Sequence, residues 1–166
     1  MIDISIKKDL GFDIPAINRI IKRVVAKTFE ELNISKKHKP YYLSILLTDN
    51  SEIAKLNKKY AKKNKATNVL SFPQNILLVS NAEKSTILLG DIVLSLEMIR
   101  FECTKQNKTF ENHLSHMTLH GLLHLYGFTH NDTDDSEKME KVEQTILSKI
   151  SILNPITTKN AEKNNF

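Results

Sequence analysis

The stretch HMTLHGLLHLYGFTH, residues 116–130, decides how this chain is read. It carries four of the six histidines. His116, His120 and His124 are spaced by four, and His113 precedes them by three. On a helix of 3.6 residues per turn all four fall on one stripe. Leu114, Met117, Leu122, Leu123 and Leu125 take much of the remaining surface. A helix is therefore expected over about residues 110–126, buried on most sides. Imidazoles beside such a surface need a hydrogen-bond partner or a bound ion.

His120 and His124, at i and i+4, can aim both rings at one point. Gly127 permits the left-handed turn that ends a helix, which lets the chain bend back and deliver His130 to the same place. The pattern H-x3-H-x2-G-x2-H supplies three nitrogen ligands for one zinc ion per chain. It leaves the fourth tetrahedral position to water, as catalytic rather than structural sites do. Zinc held by neutral imidazoles keeps its full charge, lowers the pKa of bound water from about 15.7 to about 7, and polarises carbonyl or phosphoryl oxygens. Peptides and phosphodiesters are the substrates such chemistry suits. Zinc peptidases of this spacing place Glu directly after the first histidine as general base. Here that position is Gly121, which cannot take a proton. His116 is expected either to line the same cavity or to pack beside it. His113 is expected at the surface, and His38 carries no function in this reading.

The remainder of the chain sets the frame. Its 166 residues fit one domain, and 40% apolar against 26% charged residues allow both a core and a soluble surface. No apolar run reaches the roughly 18 residues of a membrane span, and the N-terminus lacks a signal-peptide core. The single cysteine, Cys103, excludes an internal disulfide and points to the reducing cytoplasm. Charge is uneven: residues 1–110 hold 19 Lys/Arg against 11 Asp/Glu, while residues 111–166 hold 5 against 8. A basic part of that kind either keeps the surface soluble or attracts a polyanion such as RNA.

Alternation in IDISI (2–6) predicts a first strand. A helix follows over 13–34, capped by Asp13 with Pro15 in its first turn and an apolar stripe of Ile17, Ile20, Ile21, Val24, Val25 and Phe29. A second strand is entered through Pro40, and a helix over 49–63 is expected to turn Ile53, Leu56 and Tyr60 inward. ATNVLSFP (66–73) reads as a short strand, 74–86 as a loop or weak hairpin, and ILLGDIVLSL (87–96) as a strand with a bulge at Gly90. Helices over 95–106, 110–126 and 134–150 complete the pattern, and residues 155–166 read as a disordered tail after a single domain over 1–154. The expected fold is α+β: about four strands in a mixed sheet, about five helices, and the metal site on a buried helix and the loop after it.

From the end of the second helix toward the third strand run Lys58, Lys59, Lys62, Lys63 and Lys65, with Tyr60 among them. The run is either a solvated helix end with Tyr60 in the core, or a phosphate track on which Tyr60 stacks a base.

Several stretches together make the chain similar to the YbeY family of bacterial endoribonucleases, the ribosomal RNA maturation factors. HGLLHLYGFTH (120–130) resembles the family's H-G-x-L-H-L-x-G-Y-D-H; TNVLSFP (67–73) and LLGDIVLS (88–95) resemble its two other signatures in the expected order; KMEKVE (138–143) resembles its Met- and Glu-bearing last helix. The resemblance implies a metal-dependent, single-strand-specific endoribonuclease that matures small-subunit ribosomal RNA and serves ribosome quality control. Its implied partners are ribosomal RNA and the ribosome, with ribosomal proteins or an assembly GTPase, and its implied zinc ligands are His120, His124 and His130. Two departures stand out. Ala61-Lys62 replaces the family's Arg-Gly, so Lys62 or Lys63 must stand in for a bidentate phosphate contact. Phe128-Thr129 replaces Tyr-Asp, so Thr129, Asp132 or Asp134 becomes the expected partner for the outer N–H of a ligand histidine. In the enzyme reading the catalytic candidates are Lys63, holding the scissile phosphate, and His116. The alternatives are a non-catalytic RNA- or ribosome-binding assembly factor with structural zinc, and a zinc metalloprotease.

Overall fold

A computed structural model describes residues 1–7, 9–34, 41–74, 87–130 and 132–152. His38, Pro40, most of the 74–86 connection and the expected tail lie outside the described residues. The elements follow in the order β1 (Ile2–Ile6), α1 (Ile14–Glu31), β2 (Tyr41–Thr48), α2 (Asn50–Ala61), β3 (Val69–Pro73), β4 (Ile87–Ser95), α3 (Leu96–Gln106), α4 (Phe110–Leu125) and α5 (Thr133–Ile152). The sheet order is β1-β2-β4-β3. β1, β2 and β4 run parallel, and β3 pairs antiparallel with β4 at the edge. Among the described residues this is the expected α+β fold with a four-stranded mixed sheet and five helices.

Local chemistry explains the boundaries. Asp13, Asp49, Ser95 and Thr109 each accept a backbone N–H at the start of a helix, which satisfies a donor that has no partner within the helix. Ile17, Ile21, Val24, Val25 and Phe29 of α1 are buried in the core, where α1 packs on α4 and α5, while Ile20 stays half-buried. β4 bulges where expected: Tyr42 pairs with Leu88 but Leu43 with Gly90, and Gly90 takes φ 130°. A Cβ at Gly90 would collide with the Phe72 carbonyl of β3.

α4 lies directly on the sheet. A Cβ at Gly121 would meet Ile92 side-chain carbons at 3.1 and 3.2 Å and Ser71 Oγ at 3.2 Å, and Ser71 Oγ donates to the Gly121 carbonyl at 3.2 Å. The glycine at the position of the peptidase glutamate is thus a contact between helix and sheet. Side chains alternate across a strand, so Phe72, next to Ser71, points to the opposite face. There it meets Tyr60 of α2 edge-on, with ring centroids 5.1 Å apart. α2 and α4 therefore lie on opposite faces, with the edge strand β3 between them.

Two side chains differ from expectation. Tyr60 is 57% exposed rather than inward; Ile53 is buried and Leu56 half-buried. His113, expected at the surface, is 4% exposed. Its Nε2 meets Glu102 Oε2 of α3 at 2.6 Å, and Asn68 Nδ2 donates to the same carboxylate at 3.0 Å. α3 covers that face of α4 and supplies a carboxylate partner, so the ring is buried without being left unpaired on that side.

Lys62 ends α2 in the left-handed conformation, φ 57°. Glycine adopts this region freely, whereas other L-residues are strained there by roughly 1–2 kcal/mol. Lys62→Gly is expected to raise unfolding stability by about 0.5–1 kcal/mol, part of the relief being offset by glycine's unfolded-state entropy. A urea titration with an unchanged or lower midpoint contradicts this.

Candidate metal centre

α4 ends at Leu125, and Gly127 takes φ 98°. The chain turns there, with Phe128 N–H donating to the Leu123 carbonyl at 3.0 Å, and His130 swings back toward the helix. His124 Nε2 lies 3.0 Å from His120 Nε2, and His130 Nε2 lies 3.3 Å from the same atom. The three residues form a group whose ligand atoms all lie close together. The structure thus brings together the three histidines selected from the sequence.

The outer ring nitrogens define the proton positions. His124 Nδ1 contacts the Phe128 carbonyl at 2.9 Å, and a carbonyl only accepts, so Nδ1 carries the hydrogen. His120 Nδ1 contacts Glu143 Oε1 at 2.7 Å. Burial pushes the Glu143 carboxyl up, but its hydrogen bonds with His116 and His120 outweigh this and hold it at about 2. That carboxylate is ionised and also only accepts. In the neutral rings both Nε2 atoms are then bare, and two lone pairs face each other at 3.0 Å. No hydrogen bond can form between them. A cation at the common focus turns the repulsion into ligation. Tetrahedral zinc with Zn–N of about 2.0–2.1 Å would hold nitrogens about 3.3 Å apart, close to both observed separations. Burial, then the neighbouring His120, lowers the His124 pKa, which keeps its lone pair available. The donor set fits zinc.

Glu143 was not singled out as a site residue from the sequence. It is 8% exposed, projects from α5, and bridges His120 to His116, whose Nε2 lies 3.1 Å from Glu143 Oε2. The Glu of KMEKVE was its only signal, and no spacing rule connects it to a helix more than 20 residues earlier. For His120 and His124 the outer partners differ from expectation: Glu143 and the Phe128 carbonyl take their N–H groups, while Thr129 Oγ1 donates to Asp135 at 2.8 Å and Asp132 accepts the Asp135 N–H at the start of α5. α5 delivers the carboxylate for His120, and the loop serves His124 through the Phe128 backbone carbonyl rather than through a side chain. His116 turns its Nε2 to Glu143 and contributes to this support.

Lys58, Lys59, Lys62, Lys63 and Lys65 are all exposed. The buried Asn57 pins their loop, donating from Nδ2 to the Lys65 carbonyl at 2.8 Å and accepting the Lys63 N–H at 3.3 Å. The run leads from α2 on one sheet face to β3 at the edge.

The profile of the family described as endoribonuclease YbeY matches residues 3–151. The chain belongs to the YbeY family. Among relatives named endoribonuclease YbeY, that of Bartonella bacilliformis is 40% identical over 83% of this chain and 85% of its own length. That of Bartonella henselae is 34% identical over 93% and 95%, and that of Vesicomyosocius okutanii 44% over 68% and 75%. A solution structure from Thermotoga maritima, 20% identical, matches the whole of both chains with a TM-score of 0.62, which shows the shared fold. This YbeY-family chain is accordingly a hydrolase of the nuclease class. No helix among the described residues is long and apolar enough to cross a membrane.

Removing Glu143 frees the outer N–H of His120 and the ring it orients. Glu143→Ala is expected to weaken zinc binding about ten- to a hundredfold in a competition titration; unchanged affinity contradicts its placement. A pH series tests the same contact. The folded value, about 2, lies below the ordinary 4.5, so the stability Glu143 contributes to the metal-free protein is present above 4.5 and lost as pH falls from there to about 2. Glu143→Gln should flatten that acid limb of the unfolding curve, and an identical limb would be inconsistent with the low value.

Proposed function

We propose that this chain is a zinc-dependent, single-strand-specific endoribonuclease that acts in maturation of small-subunit ribosomal RNA and in ribosome quality control. The observation that supports it is the convergence of three imidazole nitrogens, those of His120 and His124 with bare lone pairs, in a chain of an endoribonuclease family. His120, His124 and His130 would hold the ion. When bound, zinc supplies a Lewis acid for a phosphoryl oxygen and lowers the pKa of water. Glu143 fixes the tautomer and orientation of His120, the Phe128 carbonyl does so for His124, and His116 braces Glu143. Lys63, with Lys58, Lys59, Lys62 and Lys65, holds the RNA backbone, Lys63 at the scissile phosphate. The proposed partners are ribosomal RNA and the ribosome, with its proteins or an assembly GTPase. A single buried cysteine suits the proposed cytoplasmic location.

The peptidase alternative needs a proton acceptor at residue 121, and that position packs against Ile92 and Ser71 instead. The reading of a binding factor with structural zinc is separated by turnover. His124→Ala is expected to abolish both zinc content and cleavage of a single-stranded ribosomal RNA fragment, and a chelator should abolish cleavage by the unaltered protein. Cleavage that survives zinc loss sinks the proposal. Lys63→Glu is expected to weaken RNA binding across sequences and reduce the salt slope of binding by about 1 or more.

A further inference from the structure

The face of the sheet opposite the histidines holds a cleft of about 440 Å³ that the metal site does not use. Leu46 of β2, Val93 of β4, Phe72 of β3 and Leu56 and Tyr60 of α2 form its apolar wall, with the Asp91 carboxylate at its side. α2 covers only part of this face, and Leu46, Phe72 and Asp91 remain half-buried. Tyr60 stands at the rim, 57% exposed yet braced edge-on by Phe72. Lys59 Nζ lies 4.8 Å from the centre of its ring.

The geometry points to a nucleobase-binding subsite in this cleft: a base of single-stranded RNA stacks on Tyr60 and enters between it and the sheet. The polymer's identity rests on the endoribonuclease reading; the cleft's chemistry selects which part of it enters. The floor is apolar, and Lys59 sets a cation against the Tyr60 ring at the rim, in a run of exposed lysines that continues through Lys62, Lys63 and Lys65 along the chain. A flat, amphipathic group on a polyanion matches both. An exposed aromatic held in a fixed orientation beside cations is the platform that single-stranded nucleic acid uses. Asp91 offers a carboxylate that accepts hydrogens, so it favours a base edge that donates; guanine presents two adjacent N–H groups and uracil one. Gln74 Nε2 donates to Asp91 Oδ2 at 3.3 Å and orients it.

The cleft also stands in register with the cleavage site. Phe72 lines the cleft on one face of β3, while Ser71 bonds to Gly121, the residue after His120, on the other. β3 is the edge of the sheet. A strand that leaves its base in the cleft and passes over this edge arrives at the histidines, so the subsite would set which phosphate is presented there.

The test is equilibrium binding of a fluorescently labelled single-stranded RNA, measured by anisotropy in chelator so that cleavage does not intervene. Tyr60→Ala is expected to weaken binding between about fivefold and a hundredfold, the loss of one stacked base, while Tyr60→Phe stays within about twofold of the unaltered protein. Ser44→Tyr, which fills the cleft and leaves Tyr60 in place, should weaken binding similarly with melting unchanged. Inorganic polyphosphate has no bases, so its affinity should not change with either variant. Oligomers rich in guanine should bind more tightly than those rich in uracil, and Asp91→Asn should erase the difference. RNA affinity untouched by both Tyr60→Ala and Ser44→Tyr overturns the subsite and leaves the cleft to a protein or a second copy of this chain. Equal losses for RNA and polyphosphate also overturn it, and equal guanine and uracil affinities overturn the part given to Asp91. RNA binding with the predicted variant pattern but no cleavage after zinc is restored would instead sink the nuclease reading and leave the subsite standing.

Discussion

The structure depends on two hydrogen bonds made on the far side of the histidine rings. Glu143 takes the outer N–H of His120 and the Phe128 carbonyl takes that of His124. Each acceptor can only accept, so each ring presents a bare nitrogen inward. The inward nitrogens sit 3.0 Å apart, and His130 adds a third at 3.3 Å from His120. An arrangement of facing lone pairs costs free energy unless a cation fills it. The sequence invests in producing this geometry: a glycine turn that returns His130, a helix from the far end of the chain that brings Glu143, and a glycine at 121 that lets α4 lie close on the sheet.

The edge strand β3 organises what surrounds this centre. Its Ser71 ties the histidine-bearing helix to one face, and its Phe72 meets Tyr60 on the other. At its entrance, Asn68 joins the pair that the half-buried Glu102 makes with the buried His113, so β3, α3 and α4 are fixed to one another by a single polar network. The cationic loop before β3 is pinned by Asn57 rather than left to solvent. The histidine cluster on one face and the lysine loop that arrives from the other therefore meet at one edge strand.

What could be read from the sequence followed distance along the chain. The element order, the bulge at Gly90, the turn at Gly127 and the three histidines all rest on spacing within about 15 residues, where helical and strand periods act directly. Contacts between distant elements were illegible. His113 looks like a surface residue until Glu102 is seen against it, and Tyr60 sits at an inward-looking helical position although α2 covers the sheet only in part. Loop side chains look like the natural partners of the histidine rings, yet His120 takes a carboxylate from α5 and His124 a backbone carbonyl of the loop. Lys62 shows the same limit from another side. It stands where the family usually has glycine, and its left-handed φ supplies the physical reason for that glycine.

The most direct measurement is anomalous diffraction at the zinc edge from crystals of the purified protein grown with one equivalent of zinc. The account predicts a single peak at the focus of His120, His124 and His130, about 2.0–2.1 Å from each Nε2. A peak elsewhere, or rings turned apart with no shared peak, contradicts it.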